Sequence, residues 1–288
     1  MLWYPGHMAG ARALVRENLK LVDLVMEVVD ARIPFSSRNP ELGPLIKAKP
    51  RLLVLNKADL ADAGSTAKWE KWFSSQGIIT VAIDALAGRG IGQALKQVQK
   101  LAEPVMAKLK RSGRKYRPAR LMVVGIPNVG KSSLINRLAA KKRAATGAKP
   151  GITRGKQWVR VEGEQGLELL DTPGILWPRT DNKKVLLRLA ATGALPEEVF
   201  PGEEVALWLC EFFLQSAPQQ LINRYQLDSL ADKPEVLLAA IGARRGFLLP
   251  GGIVDRERTA RMLLKEFQDG KLGRHTLEQP GEGERGNV

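Results

Sequence analysis

The segment RLMVVGIPNVGKSSLINRL (120–138) limits the fold more than any other part of the chain. A branched apolar run enters a loop that fits G-x-x-x-x-G-K-[ST], with Gly125, Gly130, Lys131 and Ser132 in the fixed places, and a helical pattern follows. Glycines at those places let backbone N–H groups wrap a polyphosphate, and the helix N-terminus adds the positive end of its dipole. Lys131 can then reach the β- and γ-phosphates, and Ser132 offers an oxygen to Mg²⁺. Asn128, Val129 and Ser133 complete the loop around the nucleotide.

A loop of this kind sits at the edge of a parallel sheet, and the rest of the N-terminal part reads accordingly. Runs rich in branched apolar residues at 21–30, 51–56, 78–83, 120–125, 157–161 and 167–171 predict six strands. Helical patterns at 65–76, 90–102 and 131–140 fall between them, so the expected sheet is mostly parallel and covered on both faces. The stretch 104–119, with a proline near each end and dense basic charge, reads as a linker or exposed loop. After about residue 179 the β-type runs give way to helical spacing, as in EEVALWLCEFFLQ, PEVLLAAIGARR and VDRERTARMLLKEFQDG. The expected domains are therefore an α/β domain over 1–178 and an all-helical domain over 179–288, with a short disordered tail.

The 288 residues carry 45 Lys and Arg against 30 Asp and Glu, a net charge of +15 that calls for a polyanionic partner. That excess lies in residues 1–178, with 30 basic against 14 acidic side chains; residues 179–288 carry 15 against 16. Two segments, 108–120 and 141–160, contain no acidic residue at all, a pattern that favours nucleic acid over a merely solvated surface. The one cysteine, Cys210, lies in an apolar run, which excludes an internal disulfide and points to a buried thiol. No apolar stretch approaches the length of a membrane span, and the N-terminus lacks the core of a secretory signal, so the cytoplasm is the expected compartment. A basic, amphipathic transit peptide is the alternative for that terminus.

Two more motifs give the phosphate loop its meaning. DTPG (171–174) closes the strand LELLD; Asp171 can hold Mg²⁺ through water, and the Gly174 N–H can face the γ-phosphate. NKAD (56–59) closes RLLVLN. A carboxylate at Asp59 can accept from both N1–H and N2–H₂ of guanine, a pair that adenine lacks, while Asn56 and Lys57 shape the pocket.

These three motifs together resemble the translation-factor class of GTPases, in which N-K-x-D ordinarily follows the other two. Here it precedes them, so the chain looks circularly permuted. WYPGHMAGA, DARIPFSSRNP and GKLGRHTLE narrow the resemblance to the ribosome biogenesis GTPase A family of bacterial large-subunit assembly factors, over nearly the whole chain. The resemblance implies that Thr153 is the switch threonine at Mg²⁺ and the γ-phosphate. It places Asp84-Ala85 in the loop that touches guanine by its backbone, although Asp84 replaces the family's serine. Asn128 is either a turn former or the asparagine that helps hold K⁺. Ile175 stands where Ras-like relatives keep a water-orienting glutamine, and the family uses a histidine near the N-terminus, here His7, whose other reading is a helix cap.

The expected protein is thus a cytoplasmic, monomeric, circularly permuted P-loop GTPase with a helical C-terminal domain. It binds GTP or GDP with Mg²⁺ and uses hydrolysis to leave the large subunit and its rRNA. Arg244, Arg245, Arg256, Arg258, Arg261 and Lys265, opposed nearby only by Asp255 and Glu257, form the expected RNA patch of the helical domain. A GTP-dependent switch in tRNA modification or stress signalling is the alternative.

Overall fold

The computed structural model describes residues 13–113, 117–146, 158–161, 166–170, 180–196, 199–229 and 231–282. They divide into two compact units. One takes the residues between Trp3 and Pro178 together with those from Glu278 on, and the other takes Arg179–Leu277.

In the first unit six strands form one sheet. They are β1 (Leu24–Asp30), β2 (Arg51–Asn56), β3 (Ile79–Ala82), β4 (Ala119–Val124), β5 (Trp158–Val161) and β6 (Leu167–Leu170), in the order β3-β2-β1-β4-β6-β5. All neighbours pair in parallel except β5 with β6. The order steps outward from β1 to β3, then jumps back so that β4 lies on the other side of β1. Crossovers between parallel strands are right-handed, so reversing direction moves the connecting helices to the opposite face. Helical residues 13–19 (α1), α2 (Leu42–Ile46) and α3 (Ala63–Ser75) cover one face. The crossover rule puts α4 (Ile91–Arg111) and α5 (Lys131–Thr146) on the other.

Burial follows the strand alternation. Register pairs Val25 with Met122 and Val29 with Leu55, so these side chains share a face. There Val25 and Met122 meet Val15 and Leu19 of α1 with Leu42 and Ile46 of α2, while Val29 and Leu55 meet Trp69 and Phe73 of α3. Glu27 lies between Val25 and Val29 in the same row, and its buried carboxylate takes Arg38 Nε at 3.0 Å and Nη2 at 3.2 Å. The alternate residues Leu24, Met26, Val28, Leu52, Val54, Leu121 and Val123 are fully buried as well, as a sheet covered on both faces requires.

The expected linker at 104–119 is corrected by α4, which runs through Pro104 to Arg111. Losing one N–H costs a single backbone bond, and the following VMAKLKR consists largely of good helix formers. Its basic end also suits the helix: Lys108, Lys110 and Arg111 occupy the last turn, at the negative end of the dipole.

The second unit is helical, with α6 (Lys183–Ala191), α7 (Gly202–Ser216), α8 (Pro218–Tyr225), α9 (Pro234–Arg244) and α10 (Arg256–Gln268). α7 touches the other four and buries Val205, Leu209, Cys210 and Phe213 among them. Burial pushes the Cys210 thiol up to about 12, which makes it an unreactive core residue. His275 is structural: its Nε2 lies 2.6 Å from Gln220 Oε1, and its ring packs edge-on against Phe213 at 4.8 Å. Among the described residues no helix is long and apolar enough to cross a membrane.

Candidate nucleotide-binding site

The C-terminal ends of the parallel strands line up Asp30 on β1, Asn56 on β2, Ala82 on β3 and Val124 on β4. Ligands of open α/β sheets bind at such an edge, at the point where strand order reverses, which here lies between β1 and β4. The phosphate loop leaves β4 at that point and delivers Lys131 as the first residue of α5.

Asn56 organises the site. Its Nδ2 donates to the Val129 carbonyl at 2.8 Å, and its Oδ1 accepts from the Ala85 N–H at 3.1 Å. One buried carboxamide therefore joins NKAD, the phosphate loop and the loop after β3. Gly130 makes the bond possible: at φ +95° it leaves a space in which a Cβ would stand 2.2 Å from Asn56 Nδ2. Gly125 permits a similar approach, since a Cβ there would lie 2.4 Å from the Val28 carbonyl. The Lys131 ammonium is buried and donates to the Ile126 carbonyl at 2.6 Å. Asn128 is exposed on the loop with φ +62°, Ser133 is half-buried, and Ser132 is exposed with its hydroxyl unpartnered among the described residues.

The NKAD side is equally built. Lys57, at φ +60°, pairs with Asp30 at 3.0 Å, and Asp30 also takes Arg32 through its backbone N–H, Nε and Nη2 at 2.7–3.0 Å. Burial alone would raise the Asp30 pKa, but the charges of Arg32 and Lys57 outweigh it and hold the carboxyl well below the usual range. Asp59 is half-buried and makes no ion pair or hydrogen bond among the described residues, so its carboxylate is available to a ligand. Asp84 turns back into its own loop, accepting from the Ala87 N–H at 2.9 Å and from Arg89 at 2.7 Å. Arg137 of α5 donates to the Ala87 carbonyl at 2.8 Å, a second tie between the phosphate helix and this loop.

His7, Thr153, Asp171, Gly174 and Ile175 lie outside the described residues. Sequence reasoning missed Asp30 and Arg137. A charged residue ending an apolar strand, with arginine two positions later, was the available signal for the first; nothing local marks the second.

In the expected RNA patch of the helical unit, Asp255 and Glu257 are not the only opposing acids, which corrects that part of the sequence reading. Arg244 pairs with Asp228, Arg256 with Glu203 at 2.9 Å, Arg261 with Glu257 at 2.6 Å and Lys265 with Asp269 at 2.8 Å. Arg245 meets Glu266 at 3.4 Å, and Arg258 stacks on Phe247 at 4.3 Å. Asp228, Glu203 and Glu266 come from other elements, while Glu257 and Asp269 lie one helical turn from their partners. Two cations of the segment 108–120 are also engaged internally: Arg117 with Asp23 at 2.7 Å and Arg120 with Glu168 at 3.1 Å. Lys108, Lys110 and Arg111 remain exposed.

A glycine-rich phosphate loop at a sheet switch point, joined by Asn56 to an N-K-x-D loop, defines a P-loop GTPase whose motifs run in permuted order. A family profile described as "50S ribosome-binding GTPase" matches residues 120–233. Ribosome biogenesis GTPase A of Priestia megaterium is 46% identical, with 98% of each chain covered. Mitochondrial ribosome-associated GTPase 1 of Mus musculus is 35% identical over 96% of this chain and 90% of the relative. The crystal structure of GNP-bound YlqF from T. maritima aligns with TM-score 0.64 and 28% identity, covering 94% of this chain and 99% of that one. The chain belongs to the ribosome biogenesis GTPase A family.

Proposed function

We propose that this GTPase binds GTP at the Asn56-bridged site, docks in that state on an immature large ribosomal subunit, and leaves after hydrolysis. The Asn56 bridge carries the reading, because it makes base recognition and phosphate binding one site. The family's ribosomal name and the exposed Lys108, Lys110 and Arg111 support an rRNA partner. The protein acts as a cytoplasmic monomer.

Asp59 reads guanine, with Asn56 and Lys57 shaping its pocket, and Ala85 and Asp84 hold the loop beside the base. Because the Ala85 N–H is taken by Asn56, the exposed Leu86 supplies the backbone contact. Val129, Gly130, Lys131 and Ser133 cradle the phosphates, and the Gly174 N–H meets the γ-phosphate. The unpartnered Ser132 hydroxyl fits a Mg²⁺ ligand, with Thr153 and Asp171 completing the set; when bound, the ion neutralises charge on the phosphate oxygens. Asn128, exposed on the phosphate loop, is the residue that would face K⁺. His7 orients the attacking water, a task that Ile175 cannot perform.

Co-sedimentation with large-subunit precursors tests the reading. Binding is expected with a non-hydrolysable GTP analogue, with log affinity falling linearly against log salt, and is expected to be lost with GDP. Equal binding in both nucleotide states overturns it.

A further inference from the structure

Within the sheet unit, DARIPFSSRNP (30–40) meets Glu278, the last residue of GKLGRHTLE (270–278), and neither Ser36 nor Glu278 has a part in the roles assigned above. Glu278 is buried at 3% exposure, and its carboxylate accepts from the backbone N–H groups of Phe35 and Ser36 and from the Ser36 hydroxyl, 242 positions upstream. Its own backbone carbonyl accepts from Trp69 Nε1 at 3.2 Å. One residue thus holds both the turn after β1 and the helix α3, the element that follows NKAD.

The turn leads on to the base-reading loop. Ser37, beside Ser36, accepts from the Asp30 N–H at 3.0 Å and donates to the Ile33 carbonyl at 2.6 Å. Asp30 then receives Lys57, the second residue of NKAD, whose left-handed backbone must be held in place at a cost. On the other flank Trp69 stacks on Phe73 at 5.5 Å, and Phe35 meets Trp72 edge-on at 6.4 Å, so the turn and α3 are packed together around Glu278. Apart from the peptide link between Ser36 and Ser37, each step is a hydrogen bond, ion pair or ring contact that is buried or partly buried.

We propose that Glu278 is a positioning residue for the guanine-reading loop, acting through Ser36 and Asp30 from the opposite end of the chain. The proposal rests on NKAD being the base site. Its chemistry is pre-organisation: a carboxylate accepting charge-assisted bonds fixes the turn before the nucleotide arrives, so binding does not have to order it. Because linkage is reciprocal, bound nucleotide must in turn steady the segment that carries Glu278.

The test uses the full chain with Glu278→Gln and, as a second variant that keeps the carboxylate, Ser36→Ala. Glutamine retains the size but turns an amide toward N–H donors. Binding of a fluorescent GDP analogue is expected to weaken by about tenfold, roughly one charge-assisted hydrogen bond. The KM for GTP rises in step while kcat at saturation is unchanged. Amide hydrogen exchange should quicken at 57–60 but not at 126–131, and GDP should slow exchange at 276–282 in the wild type. Unchanged affinity in both variants, or faster exchange spread evenly over the sheet unit, overturns the proposal. A wild type that fails to bind the GDP analogue overturns the base-site reading beneath it.

Discussion

Asn56 donates to the Val129 carbonyl at 2.8 Å across 73 positions of chain, and this bond converts permuted motif order into a single site. The NKAD loop is made first and the phosphate loop much later. Sheet order alone brings them to one edge, and the carboxamide fixes the distance between them.

Asn56→Ala leaves the Val129 carbonyl and the Ala85 N–H without their partner. Each buried group left unsatisfied costs about 1–3 kcal/mol. Denaturant unfolding should show that loss, and GDP titration should show greatly weakened binding. Gly130→Ala should weaken binding similarly, because its Cβ occupies the place of Asn56 Nδ2. Near-native affinity in both variants would remove the bridge from the site.

Asp59→Asn should move preference from GTP toward xanthosine triphosphate, since the exchanged amide pairs with the xanthine carbonyl. A site built around a hydrogen-bond pair rejects the wrong partner by orders of magnitude. Competition between the two nucleotides measures the switch, and a variant that still prefers GTP strongly would show that NKAD does not read the base.

Asp30 sets an acid limit on the sheet unit. Its folded pKa lies below its ordinary value of about 3.9, because Arg32 and Lys57 outweigh burial. The stability it contributes is therefore complete above that ordinary value and is lost as pH falls through the folded one. Asp30→Asn should cost about 3–5 kcal/mol at neutral pH. It should also flatten the stability curve below pH ~3.9, as acid unfolding followed by circular dichroism would report.

The strands and the phosphate loop were legible because their signals are local: branched apolar runs for β1, β2 and β4, and a fixed glycine spacing beside Lys131. The continuation of α4 past Pro104 was hidden, because a proline reads as a stop when its helix-forming successors are ignored. The partners of Arg244 and Arg256 were hidden differently. Asp228 and Glu203 lie on other elements, and only packing brings them near. The same holds for Glu278 and Ser36, whose encounter no local pattern announces.

In the proposed cycle the docked large subunit triggers GTP hydrolysis, and His7 places the water. Steady-state phosphate release, measured with the wild type and His7→Ala in the presence and absence of immature and mature large subunits, tests it most directly. The expected result is slow release by the wild type alone and strong stimulation by particles. His7→Ala should bind GTP normally yet lose about one to two orders of magnitude of stimulated rate. Wild-type release that particles leave unchanged would contradict the ribosomal trigger, and full stimulation of His7→Ala would contradict the assignment of the histidine.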